Sequence, residues 1–235
     1  KMTYKISNYW KNGQWNWDKV YSSNYGRYHT NFCLDFIMKN IKNVKEKPLN
    51  ILDVGGGKGR FALPLLEKGY NVTINEIDPN LVEPLQKQYP EIKVIIGDFN
   101  ELNFEEKYDL IICFGTIKYM DKDIEEILRN FEKLLKPKGK LIFEMINPTS
   151  FRKKLRNSQK YTSYSSEYPP AVIEKTLSNL GFRNIKMEGF AALTPPIRHD
   201  YSFLINLASF FEKTLGLYKN PNIGGIYLTY AENKY

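Results

Sequence analysis

Apolar and polar positions form two kinds of segment that alternate along most of the chain. Short apolar runs with few polar interruptions predict strands, and longer segments with apolar residues three or four positions apart predict helices. The predicted strands are 50–54, 72–76, 93–96, 109–114 and 140–146, and the predicted helices are 60–68, 80–88, 122–135 and 169–180. Strands that are apolar throughout and that alternate with helices are typical of a parallel sheet covered on both faces. The pattern therefore predicts an α/β, doubly wound fold.

Further elements are predicted on both sides of this block. A helix at 32–43 precedes it, and a strand at 183–189, a helix at 201–215 and a last strand at 223–231 follow. The segment 190–222 is a long insertion between the last two strands, placed where it would overhang a pocket. A length of 235 residues suits one sizeable core. We expect a single domain over 1–235.

The first 45 residues form a separate region, an aromatic arm followed by the helix at 32–43. Tyrosines and tryptophans crowd the arm, with little periodicity before about residue 17. One interpretation is a lid whose side chains Tyr21, Tyr25 and Tyr28 line a substrate pocket. The other is a segment that only packs on the outside of the sheet. The sequence leaves both open.

The first predicted strand runs into a glycine-rich turn, Asp53-Val54-Gly55-Gly56-Gly57-Lys58-Gly59-Arg60, before a helix begins. Glycines permit positive φ and let a ligand approach backbone N–H groups. A dinucleotide fingerprint needs a third glycine at the sixth position, which here is Arg60. A tight strand-to-helix connection without a ligand is the plain alternative.

The turn, with acidic residues at two later strand ends, resembles the class I S-adenosylmethionine-dependent methyltransferases. The strand ending at Glu76 resembles that family's second strand, and the one ending near Asp98 its third. The resemblance implies a Rossmann-like, mostly parallel seven-stranded sheet with an antiparallel last strand, S-adenosylmethionine as cofactor and S-adenosylhomocysteine as product. The implied cofactor-binding residues are Asp53, Gly55, Gly56, Gly57, Gly59, Glu76, Ile77, Asp98, Phe99 and Phe114.

Within that resemblance, the three acids have different expected roles. Glu76 would accept hydrogen bonds from the ribose hydroxyls, and Asp98 from the adenine amino group, with Phe99 against the ring. Asp78 competes with Glu76 for the ribose, but Asp78-Pro79-Asn80 is typical of a helix N-cap followed by proline. We therefore expect Glu76 to be the ribose ligand.

Candidates for catalysis are few, because the chain has two histidines. A base is needed when the methyl acceptor is a hydroxyl or an ammonium, and histidine titrates near neutral pH. His199 lies in the insertion, with Arg198 beside it, and His29 lies in the aromatic arm. Tyr119 is a further candidate for the substrate pocket.

The residues after the fourth strand limit the chemical class of methyl acceptor that we expect. Enzymes of the family that methylate amino groups of adenine, cytosine or glutamine carry an Asn/Asp-Pro-Pro-aromatic motif there, whereas this chain has 114–119, Phe-Gly-Thr-Ile-Lys-Tyr. We expect a small-molecule acceptor that reacts through oxygen, nitrogen or carbon, with an acidic metabolite as one option.

The net charge of +8 is concentrated between residues 136 and 160. The basic residues at 152–160 follow the fifth strand, at the carboxyl edge of the sheet where ligands bind in open α/β folds. They suit an acidic substrate, or RNA in an RNA methyltransferase, or they form an ordinary solvated face. A non-catalytic, cofactor-binding partner subunit is a third hypothesis for the whole chain.

The sequence gives little support for a metal site, a membrane span or a secretory signal. Cys33 and Cys113 lack metal-ligand spacing, so no metal is expected. No stretch reaches the ~20 apolar residues of a membrane span, and 1–13 lacks the apolar run of a secretory signal. We expect a cytoplasmic protein with a small-molecule partner, and RNA stays open as an alternative partner through the basic residues at 152–160.

Overall fold

The computed structural model describes residues 17–41, 48–151, 153, 166–193 and 201–234. Seven strands form one sheet in the order β3-β2-β1-β4-β5-β7-β6. The strands are β1 Asn50–Val54, β2 Asn71–Glu76, β3 Lys93–Ile96, β4 Tyr108–Cys113, β5 Leu135–Ile146, β6 Arg183–Phe190 and β7 Ile226–Glu232. The predicted α/β, doubly wound sheet is confirmed.

Strand direction also agrees with the prediction. The ladder from β3 through β2, β1 and β4 to β5 is parallel. Only β7 runs the other way, antiparallel to β5 on one side and β6 on the other. Because β1, β2 and β4 are parallel neighbours, the residues that follow them meet at one edge of the sheet.

The helices cover both faces of the sheet. They are α1 Trp17–Ser22, α2 Asn24–Ile41, α3 Ala62–Glu67, α4 Pro79–Gln88, α5 Ile124–Leu134, α6 Pro170–Asn179 and α7 Ser202–Thr214, with short 3₁₀ turns at Ile117–Tyr119 and Leu217–Lys219. Most bounds lie within about two residues of the prediction. The exceptions are α2, which begins eight residues before the predicted start at residue 32, β5, which begins five residues before residue 140, and β7, which begins three residues after residue 223.

The core has two halves, one on each face of the sheet. Alternate residues of β4 supply both, since Leu110 and Ile112 join one cluster while Ile111 and Cys113 join the other. All four are fully buried. Burial on both faces explains why the strand is apolar throughout rather than alternating.

The described part of the insertion is largely helical. Helix α7 buries Ile205 and Glu212, and Glu212 accepts a 2.7 Å hydrogen bond from the backbone N–H of Leu193. Several large apolar side chains around α7 are exposed: Tyr201, Phe203, Leu204, Leu207, Phe210, Phe211 and Leu215. Among the described helices, none combines the length and apolar character that a membrane crossing requires.

Candidate active site

The glycine turn after β1 has the backbone that its sequence predicts. Gly55, Gly57 and Gly59 have φ of 69°, 53° and 79°, where other residues are strained. A Cβ on Gly55 would also overlap the side chain of Thr116, and one on Gly56 would lie 2.9 Å from the carboxyl carbon of Asp53. The turn therefore presents bare backbone to the carboxyl edge of the sheet.

Glu76, at the end of β2, holds this turn in place. Its Oε2 accepts a 3.0 Å hydrogen bond from the Gly57 N–H. Its Oε1 accepts from the N–H groups of Ile77, at 2.8 Å, and Asp78, at 3.1 Å. Burial raises the pKa of Glu76, and these three donors oppose that effect. Asp78 itself accepts from the Asn80 N–H and caps α4, as predicted.

Asp53 is a second buried carboxyl beneath the turn, only 1% exposed. Burial raises its pKa to about 7, although Arg60 favours the charged form. Its Oδ2 has no hydrogen-bond partner in the described part of the chain. Such an atom is costly as an anion and much less so when protonated.

The remaining expected cofactor residues differ in exposure. Ile77 is 46% exposed beside Glu76. Asp98 uses Oδ1 to accept from the Asn100 N–H at 2.9 Å. Phe99 is buried, with ring centroids 4.9 Å from Phe131, and Phe114 is buried against Phe61.

A buried polar cluster lies between α2 and the end of β5. His29 Nε2 is 2.9 Å from Glu144 Oε2, and both side chains are only 8% exposed. Burial disfavours the charged form of Glu144, but His29, Lys118 and Arg60 outweigh it and hold its pKa at about 2. His29 Nε2 also lies 3.5 Å from the Cys33 sulfur. Glu144 is therefore a buried anion that lies against His29.

Arg60 joins this cluster to the glycine turn. Its Nη1 lies 3.2 Å from His29 Nδ1 and 3.5 Å from Thr30 Oγ1. The guanidinium carbon is 3.9 Å from the ring centroid of Tyr21 and 4.2 Å from that of Phe61. Two aromatic rings therefore hold a charged, planar group against the histidine.

Gly115, just after β4, lies beside the buried cluster. A Cβ on this residue would lie 3.6 Å from both Glu144 Oε1 and the Tyr21 hydroxyl. Its φ of 76° also requires glycine. The buried cluster and the glycine turn thus share one edge of the sheet.

His29, Cys33 and Glu144 also form a group of metal-ligand type, with one potential ligand atom from each within 4.8 Å of the others. Such a group was not expected from the sequence. However, the cations of Arg60 and Lys118 act on the same carboxylate, and their repulsion opposes a divalent ion. The chemistry of this donor set favours an ion pair over a metal centre.

The other predicted site residues are dispersed. Tyr25 and Tyr28 pack against Phe190 with ring centroids 6.0 and 5.2 Å away, and Tyr119 lies near Lys118. His199 and Arg198 lie outside the described residues. So does most of the 152–160 segment, but Lys153 pairs with Glu167.

Three cluster residues, Glu144, Arg60 and Lys118, were absent from the predicted site. The sequence does single out Glu144, because it is the one acidic residue in 141–146, the otherwise apolar end of β5. A charge in a strand buried on both faces needs a partner. Arg60 and Lys118 carry no comparable signal.

Comparison with known proteins places this geometry in a family. The family model described as "Methyltransferase domain" matches residues 25–187, well over half of the chain. The chain belongs to the class I S-adenosylmethionine-dependent methyltransferases. The matched range begins in α2 and includes the glycine turn and the cluster around Glu144.

Curated relatives of this methyltransferase are about 30% identical. A ubiquinone biosynthesis O-methyltransferase of Rickettsia bellii is 30% identical over 149 residues, which are 62% of this chain and 60% of the relative. A malonyl-[acyl-carrier protein] O-methyltransferase 1 of Ilyobacter polytropus is 30% identical over 146 residues, 59% of this chain and 54% of the relative. The match thus spans less than two thirds of either relative.

Solved structures share the methyltransferase fold at low identity. A magnesium protoporphyrin IX methyltransferase of Synechocystis PCC 6803, with S-adenosylhomocysteine bound, has a TM-score of 0.63 and 16% identity and covers 92% of each chain. Phosphoethanolamine N-methyltransferase 2 of Haemonchus contortus, in complex with S-adenosyl-L-methionine, has a TM-score of 0.62 and 17% identity, covering 87% of this chain and 53% of that one.

Proposed function

We propose that this protein transfers the methyl group of S-adenosylmethionine to a hydroxyl oxygen of a small-molecule acceptor, with His29 as the base. The observation that carries the proposal is the buried His29–Glu144 pair, 2.9 Å apart, beside the glycine turn. The relatives named as O-methyltransferases support oxygen as the nucleophile.

The cofactor would lie along the carboxyl edge of β1, β2 and β4. The open space beside the bare backbone of Gly57 would accommodate it, and Glu76 would accept from its ribose hydroxyls. Asp98 and exposed Ile77 would contact the adenine ring. Three buried side chains, Asp53, Phe99 and Phe114, would shape the pocket from beneath. Gly56 would do so by its missing side chain, since a Cβ there would crowd Asp53.

The hydrogen-bond donors around His29 indicate which nitrogen would act. A guanidinium can only donate, so in the neutral, base-competent form of His29 the Nδ1 would accept from Arg60 and Nε2 would carry the ring proton, next to Glu144. Glu144 would stabilise the imidazolium that forms during the reaction, as the acid does in a catalytic triad. Nδ1 becomes the base when Arg60 Nη1 turns to another partner.

The chemical step is then a direct displacement. The acceptor oxygen forms a bond to the methyl carbon, the carbon–sulfur bond breaks, and the sulfonium becomes the neutral thioether of S-adenosylhomocysteine. The hydroxyl proton passes to His29 Nδ1. Alignment of the two reactants can contribute on the order of 7 to 11 kcal/mol, and the base a further factor of about 10² to 10⁴.

Methyl transfer by the isolated protein tests the proposal. We expect transfer from labelled S-adenosylmethionine to at least one member of a pool of hydroxylated metabolites, and a drop of about 10² or more in kcat for His29→Asn. Tight binding of S-adenosylhomocysteine without any transfer would instead support a non-catalytic partner subunit. An unchanged kcat in His29→Asn would reject His29 as the base.

A further inference from the structure

Arg60 has an unusual set of neighbours for an arginine. Its guanidinium carbon lies over two aromatic rings, 3.9 Å from the ring centroid of Tyr21 and 4.2 Å from that of Phe61. A planar cation held in this way loses little additional freedom when it binds a ligand. Its edge, rather than its face, is left for hydrogen bonds.

The hydrogen-bond partners of Arg60 are weak acceptors for a guanidinium. Among the described residues, no carboxylate lies within ion-pair distance of it. Nη1 instead contacts an imidazole nitrogen and a threonine hydroxyl, the latter at 3.5 Å. A carboxylate accepts two parallel N–H bonds from this fork and is the stronger partner.

Building on the proposed function, we propose that Arg60 binds a carboxylate of the methyl acceptor, so that the preferred acceptors are hydroxy acids. The carboxylate draws Nη1 away from His29 Nδ1, and the freed nitrogen then accepts the hydrogen bond of the acceptor hydroxyl. Substrate binding thereby uncovers the base.

The distance between the two groups restricts the acceptor further. Nη1 and Nδ1 are 3.2 Å apart. The carboxylate and hydroxyl that they bind must therefore be close neighbours in the acceptor, as in a 2-hydroxy acid or an ortho-hydroxybenzoate. A para-hydroxybenzoate separates the two groups too widely to reach both.

Three small probes test the charge of the acceptor and the spacing of its two groups separately. They are 2-hydroxybenzoate, the amide 2-hydroxybenzamide, which lacks the negative charge, and 4-hydroxybenzoate, which keeps the charge but moves the hydroxyl away from it. Each is titrated calorimetrically into the protein saturated with S-adenosylhomocysteine. We expect 2-hydroxybenzoate to bind at least about tenfold more tightly than either other probe, the size of one charge-assisted hydrogen bond. Arg60→Gln should remove this preference, and Arg60→Lys should retain part of it.

Lys58→Gln is the matched control, because it removes an equal charge from an exposed position two residues earlier in the same turn. It should leave the preference for 2-hydroxybenzoate intact. An equal loss in Lys58→Gln would show that only the general positive field matters, which overturns the proposal.

Other outcomes also overturn it. If Arg60→Gln weakens S-adenosylhomocysteine binding tenfold, Arg60 binds the carboxylate of the cofactor. Equal binding of the two hydroxybenzoates, or no binding of any probe, excludes the ortho hydroxy acids. Binding is measured without turnover, so selective binding with no methyl transfer would reject the proposed function alone.

Discussion

Two buried carboxyl groups near the glycine turn have pKa values shifted in opposite directions. Asp53 and Glu144 are both removed from water, which alone raises the pKa of each. Glu144 faces His29, Lys118 and Arg60, whereas Asp53 faces one cation, Arg60, and the repelling carboxylate of Glu76. Their charge states, and therefore their effects on stability, differ with pH.

Glu144→Gln tests how the free energy of unfolding falls at low pH. Since the folded pKa of Glu144 is about 2, below its ordinary value of 4.5, its contribution is complete above pH 4.5 and is lost as pH falls toward 2. Between pH 5 and 3 the wild type should lose about 2 kcal/mol more unfolding free energy than the variant. Urea unfolding at each pH measures this, and parallel curves would contradict it.

Asp53→Asn should show the opposite trend. The folded pKa of Asp53 is about 7 and exceeds its ordinary 3.8, so the neutral form is favoured on folding and that advantage is lost as pH rises through 7. The wild type should therefore lose about 3 kcal/mol relative to the variant between pH 5 and 8. The same unfolding series provides the check, with Glu144→Gln as the contrasting control.

Glu76→Ala should weaken S-adenosylhomocysteine binding by about 10 to 100-fold. The substitution removes the expected ribose acceptor and also the hydrogen bond to the Gly57 N–H. Glu76→Gln, which keeps the shape and one acceptor oxygen, should lose less. Calorimetry gives both affinities, and undiminished binding by Glu76→Ala would reject the assigned cofactor edge.

Residue roles were predictable only where a motif fixes position and chemistry together. The glycines at 55, 57 and 59, and Glu76 beside them, follow from strand ends and backbone geometry. The pair of His29 with Glu144 joins residues 115 positions apart (144 − 29). Nothing in the local pattern of either residue specifies the other, so the contact required the tertiary structure.

Among the elements, α2 departs most from its predicted bounds. Ser23 begins it, because its hydroxyl accepts from the Gly26 N–H at 2.9 Å and its carbonyl from the Arg27 N–H. The rings that pack against Phe190 belong to Tyr25, Tyr28, His29 and Phe32, which lie three or four positions apart and so share one face of the helix. Tyrosine and histidine are amphipathic, so this face is a weaker apolar pattern than the one from residue 32 onward. The sequence could have indicated the N-cap at Ser23, but it could not indicate that these side chains pack against Phe190.

Gly26→Ala should disturb the close contact between α1 and the first turn of α2. A Cβ there would overlap the backbone of Val20 and Tyr21, so the two helices must separate and the Tyr21 ring must leave Arg60. We expect a loss of about 1 to 3 kcal/mol in unfolding free energy. Asn31→Ala, an exposed change in the same helix, should cost less than about 0.5 kcal/mol. Similar losses in both variants would contradict the packing argument.

At the scale of the whole molecule, the sheet separates two apolar clusters. Ile74 belongs to one and Ile127 to the other. Ile74→Val and Ile127→Val should each cost about 1 kcal/mol. Because they share no cluster, the double variant should equal their sum within about 0.5 kcal/mol. Chemical denaturation of the four proteins measures the coupling, and a value above about 1 kcal/mol would show that the two halves are not independent.

The placement of β7 between β5 and β6 has a consequence for synthesis on the ribosome. Within the sheet, β6 pairs only with β7, which is translated after it. While the ribosome makes residues 191–225, β6 therefore has no hydrogen-bonded neighbour in this sheet, and one edge of β5 is equally unpaired. Until β7 emerges, β6 and the facing edge of β5 stay unpaired, and that interval is when another chain could pair with them.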